Sequence, residues 1–458
     1  MVTTMMERRT FLGSAVAAGG GFWVLPSGII RGQNPPSRRL NIALIGVWGR
    51  GLAHYEAITP ENVVALCDIN ENRLAEAARR WPQAKTYVDW RKCLDQKDIE
   101  AVIICTTDHT HAFIANWALN RNQHVYCEKP LGITVEEVRT VRENYVRRKN
   151  KVATQHGTQR HAFLNFNRVR ELILDGAIGE LKAVHVWGNR QLRRPGYLPR
   201  EGDPPSHLNY DLWLGPSEYH PYNPGYFSGS AGANCLQWNM YWDFGTGQIG
   251  DMGAHTMDLA WNAIDATLPI SAEADMKLSE KFNPEVTPVE FKATFEHPAN
   301  SWRPGIRVSW YQGGVMPDSP RAAVDLKKIG HGVMFEGSKG YLIADFNSRL
   351  LIPNGDDADF TYYRRRSSAE LIPPLGSAGV KRNIVFQREW IEACKGNLKT
   401  SCNFVYGGDM MEQMLLGLVS YRVGKKLVYD GAAGRVTNVP EANQFLRRKY
   451  RPGWTLNG

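Results

Sequence analysis

Three groups of residues in this sequence combine types and spacings suited to chemistry. Asn41-Ile-Ala-Leu-Ile-Gly-Val-Trp-Gly-Arg-Gly51 ends an apolar run in a glycine-rich turn. Val63-Val-Ala-Leu-Cys-Asp68 ends a second run in a carboxylate, about twenty residues on, which is the layout of a dinucleotide-binding βαβ unit. Gly46 and Gly51 hold the first and third glycine places, Trp48 stands at the second, and Gly49 comes one later, followed by Arg50. In such a turn the glycines let the backbone approach a pyrophosphate and pack the helix on the strand. A carboxylate at Asp68 accepts hydrogen bonds from ribose hydroxyls and repels a 2′-phosphate, so NAD is expected in preference to NADP. NAD would limit the chemistry mainly to hydride transfer.

The second group is Cys105-Thr-Thr-Asp-His-Thr-His111 with Tyr126-Cys-Glu-Lys-Pro-Leu131. Both follow strand-like runs, at the carboxyl edge where open α/β sheets bind ligands. Lys129 precedes a proline, which restricts its backbone and aims an ammonium into the crevice, where it can orient a hydroxyl or lower its pKa. His109 and His111 could be read as a metal pair. No third ligand lies nearby and hydride transfer to nicotinamide requires no metal, so no metal is expected. The third group is Gly250-Asp-Met-Gly-Ala-His-Thr-Met-Asp258. Asp251 and His255, four apart, share one helical face. A carboxylate beside an imidazole fixes its tautomer and raises its basicity, which suits a base that takes the alcohol proton.

Alternating elements must position these groups. Strands are predicted at Leu40–Ile45, Val63–Cys67, Ala101–Cys105, His124–Cys127 and Lys151–Thr154, and helices at Gly51–Ile58, Glu71–Arg80, Thr110–Asn120 and from Thr134. This alternation predicts a doubly wound parallel sheet. Beyond residue 160 the pattern changes. Helices are predicted at His161–Asp175, Asp251–Ala266, Asn383–Ala393 and Gly408–Val423, and strands at Leu181–Trp187, Val289–Glu296, Ile306–Tyr311 and Gly340–Phe346. The period-two strands imply a sheet with one wet or partner-covered face. Residues 190–245 are rich in Pro, Gly, Tyr and Trp, and a loop of that length is usually functional.

With 458 residues, two domains are the default. The net charge of +9 is modest. The basic runs Arg364-Arg-Arg366 and Arg447-Arg-Lys449 read as solvated surface, and no nucleic-acid motif accompanies them. Seven cysteines without regular spacing read as buried thiols, Cys67, Cys105 and Cys127 among them, and not as a disulfide framework or a zinc site. Glu7-Arg-Arg-Thr-Phe-Leu12, followed by an Ala/Gly-rich apolar segment, resembles a twin-arginine export signal. It predicts export to the periplasm of a protein folded with its cofactor, with the segment either removed near residue 30 or kept as a tether.

Taken together, the glycine turn with Asp68, Glu128-Lys129-Pro130 and Asp251-x-x-x-His255 resemble the Gfo/Idh/MocA oxidoreductase family. Asp211-Leu-Trp-Leu-Gly-Pro216, Trp242-Asp-Phe-Gly-Thr-Gly247 and Leu415-Leu-Gly417 resemble its secreted, planctomycete-type branch. The resemblance implies a signal and linker at 1–37, an NAD-binding Rossmann domain at 38–160 and a C-terminal α/β domain at 161–458. That second domain would carry a large open, mostly antiparallel sheet used for homodimers or homotetramers, with C-terminal helices packing back on the first. It also implies Lys129, Asp251 and His255 as the catalytic group. Gly46, Trp48, Gly49, Arg50, Gly51, Asp68, Thr106, Thr107, His109, His111, Glu128, Lys129 and Gln155 would serve the cofactor, and Gln159, Arg190, Trp238 and Tyr241 the substrate. Two residues depart from the family pattern: Trp48, and Thr107 where a proline is usual.

The expected function is exported, NAD-dependent oxidation or reduction of a sugar, polyol or glycoside hydroxyl, with the cofactor held tightly. The aromatic segment fits carbohydrate, since aromatic faces stack on the apolar faces of sugar rings. Two alternatives stand beside it. One is an NAD-dependent glycosidase working by oxidation, elimination, addition and reduction. The other is a non-enzymatic sugar-binding protein with a degenerate cofactor site, for which Trp48 speaks.

Overall fold

The apolar runs of the first third become six strands: β1 Asn41–Ile45, β2 Asn62–Cys67, β3 Lys85–Tyr87, β4 Ala101–Ile104, β5 His124–Cys127 and β6 Thr154–His156. Their spatial order is β3-β2-β1-β4-β5-β6, and every neighbouring pair is parallel. The computed structural model describes residues 38–355 and 384–457, and those from Leu40 onward belong to one compact unit. The Arg8-Arg9 signal, the 1–37 segment and the Arg364–Arg366 run lie outside the described residues.

Alternation along β1 sends Ile42 and Leu44 to one face and Ala43 and Ile45 to the other, the period-two rule of a strand. Helices cover both faces: α1 Tyr55–Ile58, α2 Glu71–Arg80, α3 Trp90–Leu94, α4 Asp108–Asn120 and α5 Val135–Arg148; α6 Leu164–Leu174 follows β6. Their starts follow side-chain chemistry. Asn70 accepts from the N–H groups of Asn72 and Arg73 to open α2, and Thr134 accepts from Glu137 N–H to open α5, each satisfying otherwise orphaned donors.

Some elements differ from the sequence expectations. A 3₁₀ turn, Gly49–His54, precedes α1, so the phosphate-side turn is tighter than an α-helical start. The strand expected at 151–154 is displaced to β6, because the N–H groups of Lys151 and Val152 still bind the Arg148 carbonyl at the end of α5. The helix expected from His161 starts at Leu164, after a 3₁₀ turn at Gln159–Ala162.

The second sheet has nine strands: β7 Leu181–Gly188, β8 Ser271–Ala274, β9 Phe291–His297, β10 Ile306–Gln312, β11 His331–Gly337, β12 Gly340–Ala344, β13 Arg349–Pro353, β14 Leu427–Asp430 and β15 Arg435–Val436. They are ordered β13-β12-β11-β7-β10-β9-β8-β14-β15. The β7–β10 pair is parallel and the other pairs are antiparallel. Alternate residues of β9 are fully buried and partly exposed.

Residues 190–245 are more structured than a loop. They hold α7 Tyr210–Leu214, two 3₁₀ turns and a private aromatic core of Tyr210, Trp213, Tyr222, Tyr226, Trp238, Tyr241 and Phe244. Then follow α8 Gly247–Gly250, α9 Met252–Ala263, α10 Val385–Lys395 and α11 Phe404–Val423. α10 lends Phe386, Trp390 and Ile391 to the core on one face of the first sheet. Met414 and Leu415 of α11 share a single core with Val138 and Val141 of α5 and Phe295 of β9.

All seven cysteines are free. The basic run at 447–449 is corrected in part: Arg448 is no solvated charge, since it donates to Glu137 at 2.7 Å, to Ser217 at 3.0 Å and to the His109 carbonyl at 2.9 Å. No described helix is long and apolar enough to cross a membrane.

Candidate active site

β1 lies between β2 and β4, so strand order reverses at the end of β1. This is the switch point where open sheets of this class bind ligands. A cleft of about 630 Å³ opens there, lined by Gly46, Trp48, Arg50, Asp68, Thr106, Thr107, His111, Glu128 and Lys129 from the first sheet's edge. Gln159, Arg190, Trp238, Asp251 and His255 line it from the remainder of the chain.

The dinucleotide end fits its expected occupant. Gly46 has φ +85°, and a Cβ there would stand 2.5 Å from the Cys105 carbonyl oxygen. A Cβ on Gly51 would overlap the Gly46 carbonyl, so both glycines are required by close approach. Asp68 accepts from Val47 N–H at 3.0 Å and Asn70 N–H at 2.9 Å, which fixes the carboxyl at the mouth of the turn. Burial raises its pKa, while those N–H groups and Arg73 pull it down. The Trp48 indole does not seal the groove; it stacks under the Arg73 guanidinium at 4.5 Å, a cation–π contact. NAD would be held here by the Gly46–Gly51 backbone, Asp68 and Thr106.

Beneath the cleft lies a buried carboxylate. Glu128 accepts from Arg50 Nε at 2.8 Å and shares a hydrogen bond with His54 Nε2 at 2.9 Å. Burial alone would raise its pKa, but Arg50 and then His54 hold it at about 2. Arg50 is thereby fixed at the cleft wall.

The reacting end joins the two halves of the chain. Lys129 Nζ donates to Asp251 Oδ1, and Arg190 approaches the other oxygen at 3.6 Å. The Lys129–Pro130 peptide is cis. Burial works against the ammonium, but Asp251 outweighs it and the Lys129 pKa stands above its ordinary value. Burial likewise works against the carboxylate, and Lys129 and Arg190 keep Asp251 below its ordinary value. Both are therefore charged. His255 is 4% exposed, and its buried Nδ1 has no hydrogen-bond partner among the described residues. Burial first, then Lys129, Arg160 and Arg50, hold its pKa well below the ordinary imidazole value, so it is neutral and able to accept a proton.

The expected partnership is corrected here. Asp251 does not hydrogen-bond His255. It sits at the N-cap of α9 with ψ −97°, outside the helix, and its carboxylate turns to Lys129 across the cleft instead of along the helix face.

Three other expected contacts turn elsewhere. Both His109 nitrogens meet carbonyls, Trp213 at 2.9 Å and Phe244 at 3.4 Å, so the ring anchors the aromatic segment instead of lining the cleft. Gln155 is buried and donates to Glu389 at 2.9 Å, binding β6 to α10. Tyr241 is fully buried in the aromatic core, stacked on Tyr197 at 5.1 Å. His111 does line the cleft, with its nitrogens on the Pro130 and Thr106 carbonyls, so it braces both loops.

Sequence reasoning missed Arg160, His331 and Asn234, all of which line the cleft, as does Asp108 of the Thr106–His111 turn. Arg160 follows a strand end, a signal that could have found it. Asn234 lies against Gly49 and His331 opens β11; both arrive by tertiary folding alone.

A parallel six-stranded sheet with a ligand cleft at its switch point, followed in the chain by a nine-stranded mixed sheet, defines a two-part dinucleotide-binding fold. Residues 40–156 match the model of an oxidoreductase family's NAD-binding Rossmann fold, and residues 196–284 match that family's C-terminal α/β domain. Both matched stretches thus resemble the Gfo/Idh/MocA oxidoreductase family. Inositol 2-dehydrogenase of Salmonella typhimurium is 33% identical over 152 residues, 32% of this chain and 45% of that one. An α-N-acetylgalactosaminidase of Bacteroides fragilis is 33% identical over 115 residues, 23% of this chain and 27% of that one. The chain thus spans less than half the length of these relatives. A levoglucosan dehydrogenase structure in complex with NADH and levoglucosan superposes with a TM-score of 0.55 at 19% identity, covering 85% of this chain and 98% of that one.

Proposed function

We propose that the protein transfers hydride between a carbohydrate or polyol hydroxyl and tightly held NAD. One observation carries this reading: Lys129, paired with Asp251, and His255, from opposite halves of the chain, line a single cleft that continues to the glycine turn and Asp68. NAD, when bound, supplies the hydride acceptor. The residues do the rest. Lys129 donates a hydrogen bond to the reacting hydroxyl and favours its alkoxide, and His255 accepts the proton through its ring. Asp251 keeps Lys129 charged and in place, and Arg190 limits the negative charge that Asp251 presents.

The test is to denature the purified protein and assay released NAD, then screen neutral and acidic sugars against the holoprotein by reduced-nicotinamide absorbance. Bound NAD with substrate-dependent reduction supports the reading; a protein that neither carries nor takes up NAD overturns it. The likeness to an α-N-acetylgalactosaminidase favours a second reading, in which hydride returns after glycoside cleavage. Steady release of nitrophenolate from nitrophenyl glycosides without net NADH would select it.

Export is part of the proposal, supported by Arg8-Arg9 before the apolar segment. Changing both arginines to lysine should retain the protein in the cytoplasm.

A further inference from the structure

The substrate half of the cleft holds more cations than its carboxylates balance. Lys129, Arg160 and Arg190 all line it. Asp251 is shared between Lys129 and Arg190. Glu128 is committed to Arg50 and His54. Asp108 is buried, and burial pushes its pKa up despite the pull of Lys129, which weakens it as a counter-charge, and it forms no ion pair among the described residues. Arg160 lies over the Phe346 ring at 4.1 Å, and no carboxylate among the described residues forms an ion pair with it.

Arg160 is central to this excess. Burial and then Arg190 and Arg50 hold its pKa below the ordinary guanidinium value, and burial followed by Arg160 holds His331 down. Cations gathered in a low-dielectric cleft repel one another and have lost water, a cost that an entering anion removes. A guanidinium fork presents paired donors that match a carboxylate, sulfate or phosphate. Arg160 follows β6, three strand spacings from the β1 glycine turn, roughly 14 Å at 4.8 Å per strand. It lines the same cleft as His255 and opposes that ring's charge, while its own charge is also felt by Arg50 of the glycine turn.

We propose that the substrate is an acidic sugar, whose carboxylate, sulfate or phosphate docks between Arg160, Arg190 and His331 while its reacting hydroxyl meets Lys129 and His255. This rests on the oxidoreductase reading above and names the substrate class for the same site. An anion against Arg160 also screens one of the cations that face His255, so an acidic substrate both binds the cleft and restores basicity to the proton acceptor.

The experiment uses NAD-loaded protein and calorimetric binding of glucuronate, galacturonate, glucose 6-sulfate and glucose 6-phosphate against glucose and galactose. Reduction of the cofactor is followed in parallel. At least one acidic sugar should bind about tenfold or more tightly than its neutral parent, the scale of one charge-assisted contact. Which acid prevails distinguishes carboxylate from sulfate and phosphate. Arg160→Gln and Arg190→Gln should each cut that preference about tenfold, Arg160→Lys should keep part of it, and added salt should weaken acidic-sugar binding selectively. NAD content should be unchanged in Arg160→Gln. Neutral sugars binding as tightly as all four acids would overturn the proposal. So would a preference that survives the double substitution, or loss of NAD from Arg160→Gln with selectivity intact, which would reassign the arginine to the cofactor. The wild-type salt and ligand series stands even where a variant does not fold. Absence of NAD from the wild type would instead sink the oxidoreductase reading, so the two failures are distinct.

Discussion

Lys129 and Asp251 form one unit at the residue scale, and neither can be changed alone without exposing the other's charge. Asp251 is 2% exposed and the Lys129 side chain 15%. Lys129→Ala should therefore act twice. It removes the donor to the reacting hydroxyl, for which ~10²–10⁴-fold slower reduction is expected. It also strands a buried carboxylate, for which a loss of about 3–5 kcal/mol is expected. Stopped-flow absorbance of the nicotinamide reads the first and denaturant unfolding the second. Lys129 and His255 were legible in the sequence because strand ends and helix spacing are local patterns. The partner of Asp251 was not, since a helical face says where a side chain starts and not which half of the molecule it meets. Arg160 shows the same limit: a single arginine beside Gln159 carries no local sign that it lacks a counter-ion.

At the scale of elements, the glycine turn and the α5–α11 contact carry the clearest consequences. Gly51→Ala would drive a methyl into the Gly46 carbonyl. Overpacking of this kind costs about 1–3 kcal/mol, and the displaced 3₁₀ turn should release NAD, measurable as a lower nicotinamide-to-protein ratio. On α11, Glu412 is fully buried and accepts from Arg139 at 2.8 Å, Arg142 at 2.7 Å and Tyr429 at 2.5 Å. Glu412→Ala removes the buried carboxylate between Arg139 and Arg142, which keep only the outer carboxylate partners Glu143 and Asp409, so a loss of about 1–3 kcal/mol is expected, read from the unfolding midpoint. The helix Glu71–Arg80 was read from sequence with the bounds it has in the structure, because its cap and its charges are local. β3 and α3 were not read: β3 is three residues long with little burial, too short to show a period. The aromatic segment reads as a loop in sequence because its order comes from rings packing on one another, Trp213 on Phe244 at 4.7 Å and Tyr197 on His220 at 3.8 Å, and not from backbone periodicity.

The whole molecule stores a pH dependence in its buried imidazoles. His109 and His156 are held at about 3, and His124 and His297 at about 4, burial being the leading cause in each case. Unfolded, each would titrate near 6.5. Below that value the unfolded chain binds more protons than the folded one, so stability falls as pH drops from about 6.5 towards 4, by up to about 1.4 kcal/mol per pH unit for each group. His161 runs the other way. Burial opposes its charge, but Asp258 at 2.9 Å raises its pKa well above the ordinary value, so its contribution is present in acid and lost as pH rises through the folded pKa. The four depressed groups outweigh this one in acid, and Tm measured from pH 7 to pH 5 should fall steeply. A flat profile would show that these rings reach water. The sequence by itself determined the parallel βαβ layout, the glycine turn, Asp68 and the catalytic candidates, because strand burial, tight turns and helix caps are dictated by neighbours in the chain. Only the tertiary structure decided that Asp251 serves Lys129, that Tyr241 and His109 belong to an aromatic core, and that Arg160 and His331 face the cleft. Charge pairing and ring packing depend on distances between residues far apart in sequence, and no local pattern encodes those distances.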